Sequence, residues 1–412
     1  MTIELSEVQK LSVRSEAVFG QDETADLPGY VPVPFHSGSL TWTTDREMLD
    51  PMTAHQRVDA ADAKIPGWRR GTLSMTMNLA ATGVPAGDGI EAVQSALGLL
   101  LRIGMGGESL QTGDIISAVA DAANFTQVGL NQLAFPGTAI GIPRTTDAKY
   151  EMRVEKSTPG EGEHSMKMEY SELPVATNPA YASATYYLTQ NPIESAQFIA
   201  EGAEEDDGWL LVGCQLDSMT IDTPLGQIPT ITFTWKAAGY LMASETVGTI
   251  GAATTATYTN YVPIIAEGDF LVRRLPDGTT LPAPTCMATI TINFGLTYAE
   301  VPCPSGVNGL QRWRRIRSIP VASGSYTAYY EDELAWTDRD DKVLRAITWQ
   351  MGITPGESVM LEWPTTQIVD VQRVDNGGLA SQAVSFEALE DQETTPASEF
   401  DLPNSAFRIH FG

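Results

Sequence analysis

The chain has 412 residues, 42% of them hydrophobic, with 8 Trp, 13 Tyr and 12 Phe, enough for a packed core and evidence against wholesale disorder. Its 25 Lys+Arg against 52 Asp+Glu leave a net charge of −27, a field that repels phosphates and excludes a sequence-reading DNA binder. No run of about 18 uncharged apolar residues is present to span a membrane, and the opening residues lack the basic-then-apolar order of a signal peptide.

Residues 1–35 turn from polar to rich in Pro and Gly, which predicts an extended N-terminal arm that orders against a neighbour. From Ser39 to Thr44 and from Gly71 to Leu79, apolar residues fall on every second position, the period of a half-buried strand. The period then changes. Ile90, Val93, Leu97, Leu100 and Leu101 recur at three- and four-residue steps, which predicts an amphipathic helix over about 88–103, ended by Gly104, Gly106 and Gly107. Because these glycines follow the helix they read as a stop; a phosphate cradle precedes the helix whose N-terminus holds the anion.

Short strand-like runs follow at 150–154, 165–170, 184–188, 197–200, 209–221 and 228–235. Residues 243–261 are mostly small, with little to pack, and predict a linker or long loop, with a domain seam within 243–284. Strands resume at 286–294, 312–321, 325–330, 343–351, 358–363, 368–374 and 380–389, before an acidic segment and a closing Ala406–Phe411. Short strands broken by Pro, Gly and acidic turns predict a mostly β chain folded as a sandwich or barrel.

The pattern offers little chemistry. Cys214, Cys286 and Cys303 form no CxxC pair and read as buried or incidental thiols; His36, His55, His164 and His410 share no HxxxH or HExxH spacing. No GxSxG is present, so no catalytic, cofactor-binding or metal-ligating residue is singled out, no cofactor is implied, and the chain reads as a non-enzyme. The acidic runs at Glu201, Glu204, Glu205, Asp206 and Asp207, and at Glu387, Glu390, Asp391, Glu393, Glu399 and Asp401, lack the order of a calcium loop and read as solvated loops. Asp338-Arg339-Asp340-Asp341 reads as a turn. Gln311–Arg317 sets four arginines around Trp313, and three readings stand: contact with an acidic neighbouring subunit, a solvated strand edge, or single-stranded nucleic acid. Trp42, Trp336 and Trp363 read as core residues or, in a carbohydrate-binding β-sandwich, as sugar platforms.

The segment Gly213-Cys214-Gln215-Leu216-Asp217-Ser218-Met219-Thr220-Ile221 follows the strand-like Ala184–Leu188 and Ser195–Ile199 and precedes an alternating strand within Gly226–Gly239. This order resembles the central part of tail tube proteins of long-tailed bacteriophages, and the ending Phe407–Gly412 is similar to theirs. The resemblance implies a tail-tube-type β-sandwich or barrel with a flanking α-helix, in a structural protein of the virion tail assembled in the host cytoplasm. It also implies partners: self-association into rings that stack as a tube, other phage tail proteins, and DNA in transit without sequence-specific binding. Strands of neighbouring subunits would join around a channel, which the chain's acidity would line with negative charge. The alternatives are a baseplate, tail-completion or decoration protein of a virion, or a carbohydrate-binding β-sandwich.

An internal repeat is also suggested. Ser39–Trp42 and Gly67–Arg70 have counterparts in Ala288–Thr291 and Arg312–Arg315, with Trp-Arg-Arg about 25 residues downstream of an alternating segment each time. The expected organisation is an arm over 1–35, a first tube-like β domain over 36–242, a linker over 243–284 and a second tube-like β domain over 285–412. Two such domains per chain would let a trimer make a pseudo-sixfold ring; the alternative is a hexamer of single-domain chains.

Overall fold

The computed structural model describes residues 2–3, 10–22, 24, 29–49, 65–81, 96–111, 116–119, 124–128, 139–143, 150–154, 163–167, 183–188, 194–201, 208–242, 246, 262–263, 270–274, 287–295, 298–307, 310–315, 322–329, 333–352, 358–389 and 405–412. These residues are mostly β, with antiparallel pairing throughout and two short helices, none long and apolar enough to cross a membrane.

The first elements are β1 (Thr2–Ile3), β2 (Lys10–Ser15), β3 (Thr41–Leu49), β4 (Ile65–Asn78), α1 (Ala96–Met105) and β5 (Gly106–Gln111). They are followed by β6 (Ser183–Leu188), β7 (Ala196–Glu201), β8 (Gly208–Pro224), β9 (Thr230–Ala237) and β10 (Gly239–Met242). The two-residue period of β4 buries Leu73, Met75 and Met77, and that of β9 buries Ile231, Phe233 and Trp235, so these strands share one apolar face in the order β3–β4–β9–β8.

The 17 residues of β8 are enough to serve two sheets. Trp209–Val212 pair with β10 and its first half pairs with β7, whereas Gln215–Asp222 pair with β9. The change comes at Gly213, whose φ of +63° is open to glycine at little cost. Glu16 holds this corner from the end of β2: its carboxylate accepts the Gly213 N–H at 2.6 Å, the Gly20 N–H at 3.1 Å and the Ser195 hydroxyl. β7 pairs onward with β2, and the two sheets close on a core where the Phe198 and Trp235 rings meet edge-on at 5.4 Å. The apolar face of α1, with Leu97, Leu100 and Leu101 buried, packs on β2, β6 and β8.

The later elements are β11 (Phe270–Arg274), β12 (Met287–Gly295), β13 (Ser323–Tyr329), α2 (Leu334–Asp340), β14 (Leu344–Met351), β15 (Val359–Asn376), β16 (Leu379–Leu389) and β17 (Arg408–Phe411). Their pairing order repeats the first. β12–β13–β16–β15 follows β3–β4–β9–β8, and the order β11–β14–β15–β17 follows β2–β7–β8–β10. The irregularities recur too. Each long strand has a bulge residue against its hairpin partner, Asp217 in β8 and Val369 in β15. Each also shifts register against the strand on its other side, between Ala196 and Phe198 and between Arg345 and Ile347. Superposing the bulges matches Leu216 with Ile368; successive cross-strand partners then match Trp235 with Phe386, Leu73 with Gly324, and Trp42 with Ile292.

Gly324 shows why the match is not residue for residue. The Phe386 ring lies over it, and a Cβ there would stand 2.3 Å from Phe386 Cζ. Gly324→Ala is therefore expected to destabilise by about 1–3 kcal/mol, the cost of an overpacked core, and a Phe386→Leu background should shrink that penalty. Urea unfolding of the four chains of this cycle measures it.

Several expectations change. Residues 88–95 of the expected helix lie outside the described residues; Gly104 is inside α1 against Leu216, and the helix stops at Gly106, whose φ is +91°. Asp338, Arg339 and Asp340 belong to α2 and only Asp341 caps it, because buried Asp338 pairs with Arg345 of β14. The separate strands at 358–363 and 368–374 are one strand, β15, carried through Pro364 by pairing with β14 and β17 before it and with β16 after it.

Residues 10–15, expected in an arm awaiting a neighbour, pair inside the chain as β2 with Leu11 and Val13 buried. β11, in the expected linker, pairs with β14. The second Trp-Arg-Arg falls in a strand over Leu310–Arg315 paired with Tyr298–Val307, and the first in β4; since Leu73 matches Gly324, the tripeptides are not equivalent positions.

Candidate assembly surface

β8 also pairs, along Ser218–Pro224, with β12. That contact joins the two four-stranded sets into one antiparallel sheet of eight, ordered β3–β4–β9–β8–β12–β13–β16–β15. A second junction sets β17 between β6 and β15.

One face of the eight-stranded sheet covers the core and the other is polar. The alternate positions that do not enter the core are Arg70, Thr72, Ser74, Thr76 and Asn78 in β4 and Thr230, Thr232, Thr234 and Lys236 in β9, all half-buried. Ser218 and Thr220 of β8 and Ser323, Ser325 and Thr327 of β13 continue the pattern. Threonine suits a strand through its branched Cβ, and its hydroxyl satisfies neighbours without adding charge. Thr76 and Thr232 share a hydrogen bond at 2.9 Å, and Thr234 donates to Ser74 at 3.4 Å. Charge on this face is sparse: Asp217 pairs with Lys236 at 2.6 Å, and Arg70, Asp222, Asp370 and Glu387 complete it among the residues whose side chains are described.

The two ends of the sheet differ. β15 pairs with β16 over Thr365–Asn376, while its other side, from Ile368 onward, meets no strand among the described residues. β3 meets β1 through Thr2 opposite Thr43 and Ile3 opposite Trp42. The hairpin turns expose apolar residues, Leu225 and Ile228 after β8 and Leu379 after β15, and Val369 is exposed at its bulge.

The charged groups inside the protein are structural. Glu362 of β15, 1% exposed, is 3.1 Å from Arg408 Nη1 and 3.0 Å from His410 Nε2, and the other nitrogen of that ring is 2.9 Å from Thr185 Oγ1 of β6. This cluster binds the three strands of the second junction. Burial, with the nearby Glu16 charge adding to it, pushes the Cys214 thiol well above its usual range, which keeps it a protonated core residue.

Trp42 and Trp363 are buried, and Trp336 is partly buried with the Arg339 guanidinium 5.0 Å from its ring centre; the first two are core residues, not sugar platforms. His36 bonds Asn78, His164 lies in the strand Glu163–Lys167, and His55 and Cys286 lie outside the described residues, as do the acidic residues 204–207 and 390–401. The arginine-rich strand Leu310–Arg315 is paired, and its side chains lie outside the described residues. The hydroxyl face and the open strand edges were not singled out from the sequence, although the alternating Thr and Ser of β4 and β9 carry that face in plain view.

The model of the phage tail tube protein family matches residues 7–388. The chain belongs to that family. As a phage tail tube protein it is a structural component of the virion tail, is not an enzyme, and self-assembles into a tube. No curated protein matches the chain.

Proposed function

We propose that this tail tube protein supplies two tube-like units per chain, and that three chains close a pseudo-sixfold ring whose stacked copies form the channel for the genome. What carries the reading is the double occurrence of one pairing order, down to the bulges at Asp217 and Val369. Because β2 and β11 pair inside the two sets, the first unit is taken from Lys10 to Met242 and the second from Phe270 to Phe411, in place of limits at 36 and 285. The polar face of the eight-stranded sheet is the proposed lining. It is less acidic than the net charge suggests, with hydroxyls between a few carboxylates and with Arg70 and Lys236 as its cations among the described side chains, Lys236 paired with Asp217, so the surface offers passing phosphates no cationic array to hold them. Exposed Leu225, Ile228 and Leu379 at the hairpin turns are the proposed contacts between stacked rings. Assembly takes place in the host cytoplasm, and DNA passes without sequence-specific binding.

Electron microscopy of the purified chain over a range of concentrations and salt tests this. The expected result is hollow tubes whose ring averages show three chains and six similar lobes. Six equivalent chains per ring would reject the trimer, and a monodisperse monomer under every condition would reject the tube.

A further inference from the structure

The interior of the eight-stranded sheet shows what belongs on its two ends. β8, the counterpart of β15, pairs with β12, the counterpart of β3, with Thr220 opposite Asn293 and Ile221 opposite Ile292. Carried through the bulge alignment, these pairs become Gln372 opposite Thr43 and Arg373 opposite Trp42. Parity agrees, since Thr43 and Gln372 are both exposed on the polar face, whereas Trp42 and Val371 are buried on the other. The open side of β15 thus fits the outer side of β3 on a second copy of this chain. That place is already taken: β1 pairs with Trp42 and Thr43, in the middle of the segment the neighbour would cover.

We propose that β1, Thr2–Ile3 of the same chain, is an edge cap, and that β15 of a second copy displaces it on assembly in the register Gln372 to Thr43. The proposal rests on the tail tube reading and adds a mechanism to it. An uncovered edge strand is a template for uncontrolled pairing, and a short segment laid along it blunts that hazard in the free chain. A two-residue cap gives up few hydrogen bonds when it leaves, while the entering strand pairs along Thr41–Asp45, so the exchange favours the joined state.

Four variants test it against the wild-type chain, whose own cysteines set the background. In Thr2→Cys/Thr43→Cys, oxidation of the free chain should lock the cap and hold the protein unassembled where wild type forms tubes, with reductant restoring assembly. Failure of that disulfide to form, or tubes from a chain shown by mass to be locked, overturns the cap. Deletion of residues 1–9 should lower the critical concentration for assembly about tenfold, the effect of losing roughly one net hydrogen bond; an unchanged or higher value overturns the cap. Tubes of Thr43→Cys/Gln372→Cys should give a ladder of disulfide-linked chains on a non-reducing gel, and Thr43→Cys/Val371→Cys should not. Tubes without that ladder overturn the register while the tail tube reading stands; a wild-type chain that never assembles overturns the reading itself.

Discussion

Arg408→Met will lower the unfolding free energy by about 3–5 kcal/mol, the cost of removing one partner from a buried ion pair. Glu362 is 1% exposed and its Oε2 faces both Arg408 Nη1 and His410 Nε2, so the substitution leaves a carboxylate in the core without its guanidinium partner. The neutral double change Glu362→Gln/Arg408→Met should recover most of the loss, because the penalty belongs to the stranded charge and not to the absent contact. A drop in urea midpoint at constant m-value, followed by tryptophan fluorescence, measures both. A loss below about 1 kcal/mol would mean that solvent reaches Glu362 and that the junction is not sealed. The effect should extend to assembly, since the cluster ties β6 and β17 to β15, the strand that presents the open edge.

Gly213→Ala is the second large effect, expected at about 2–5 kcal/mol. Two costs add. A φ of +63° disfavours any L side chain by roughly 1–2 kcal/mol, and a Cβ placed 2.7 Å from the Ala238 Cβ and 2.9 Å from Phe19 Cζ overpacks the corner by about 1–3 kcal/mol more. Ala238→Gly in that background should return part of the second cost and none of the first, so thermal or urea unfolding of the double variant separates them. A Gly213→Ala chain as stable as wild type would show that β8 does not need this backbone to pass between its sheets.

Most strands were legible because their alternation is written in adjacent residues. The apolar face of β4 follows from Leu73, Met75 and Met77 alone, and 209–221 and 228–235 anticipated β8 and β9 to within a few residues. The helix was legible in part, through Leu97, Leu100 and Leu101. α2 was not: its seven residues carry Asp338 and Arg339 in a sequence that reads as a turn, and they become helical beside a buried arginine seven residues on. The candidate surface was hidden for a related reason. Net charge averages over the whole chain, whereas the polar sheet face samples only every second residue of a few strands, and most of those are Ser or Thr.

By itself, then, the sequence determined the mostly β class, the period and approximate limits of the longer strands, the absence of a recognisable catalytic pattern, and the tail tube resemblance centred on Gly213–Ile221. Only the tertiary structure decided which strands meet. β2 finds β7 across about 180 residues, β17 slips between β6 and β15, and β1 lies on the edge of β3. The physical reason is that a two-residue period specifies which face a strand buries but not its partner. Many edges with that period are available to any strand, and the choice falls to bulges, buried ion pairs and glycine corners that act only once distant segments have come together.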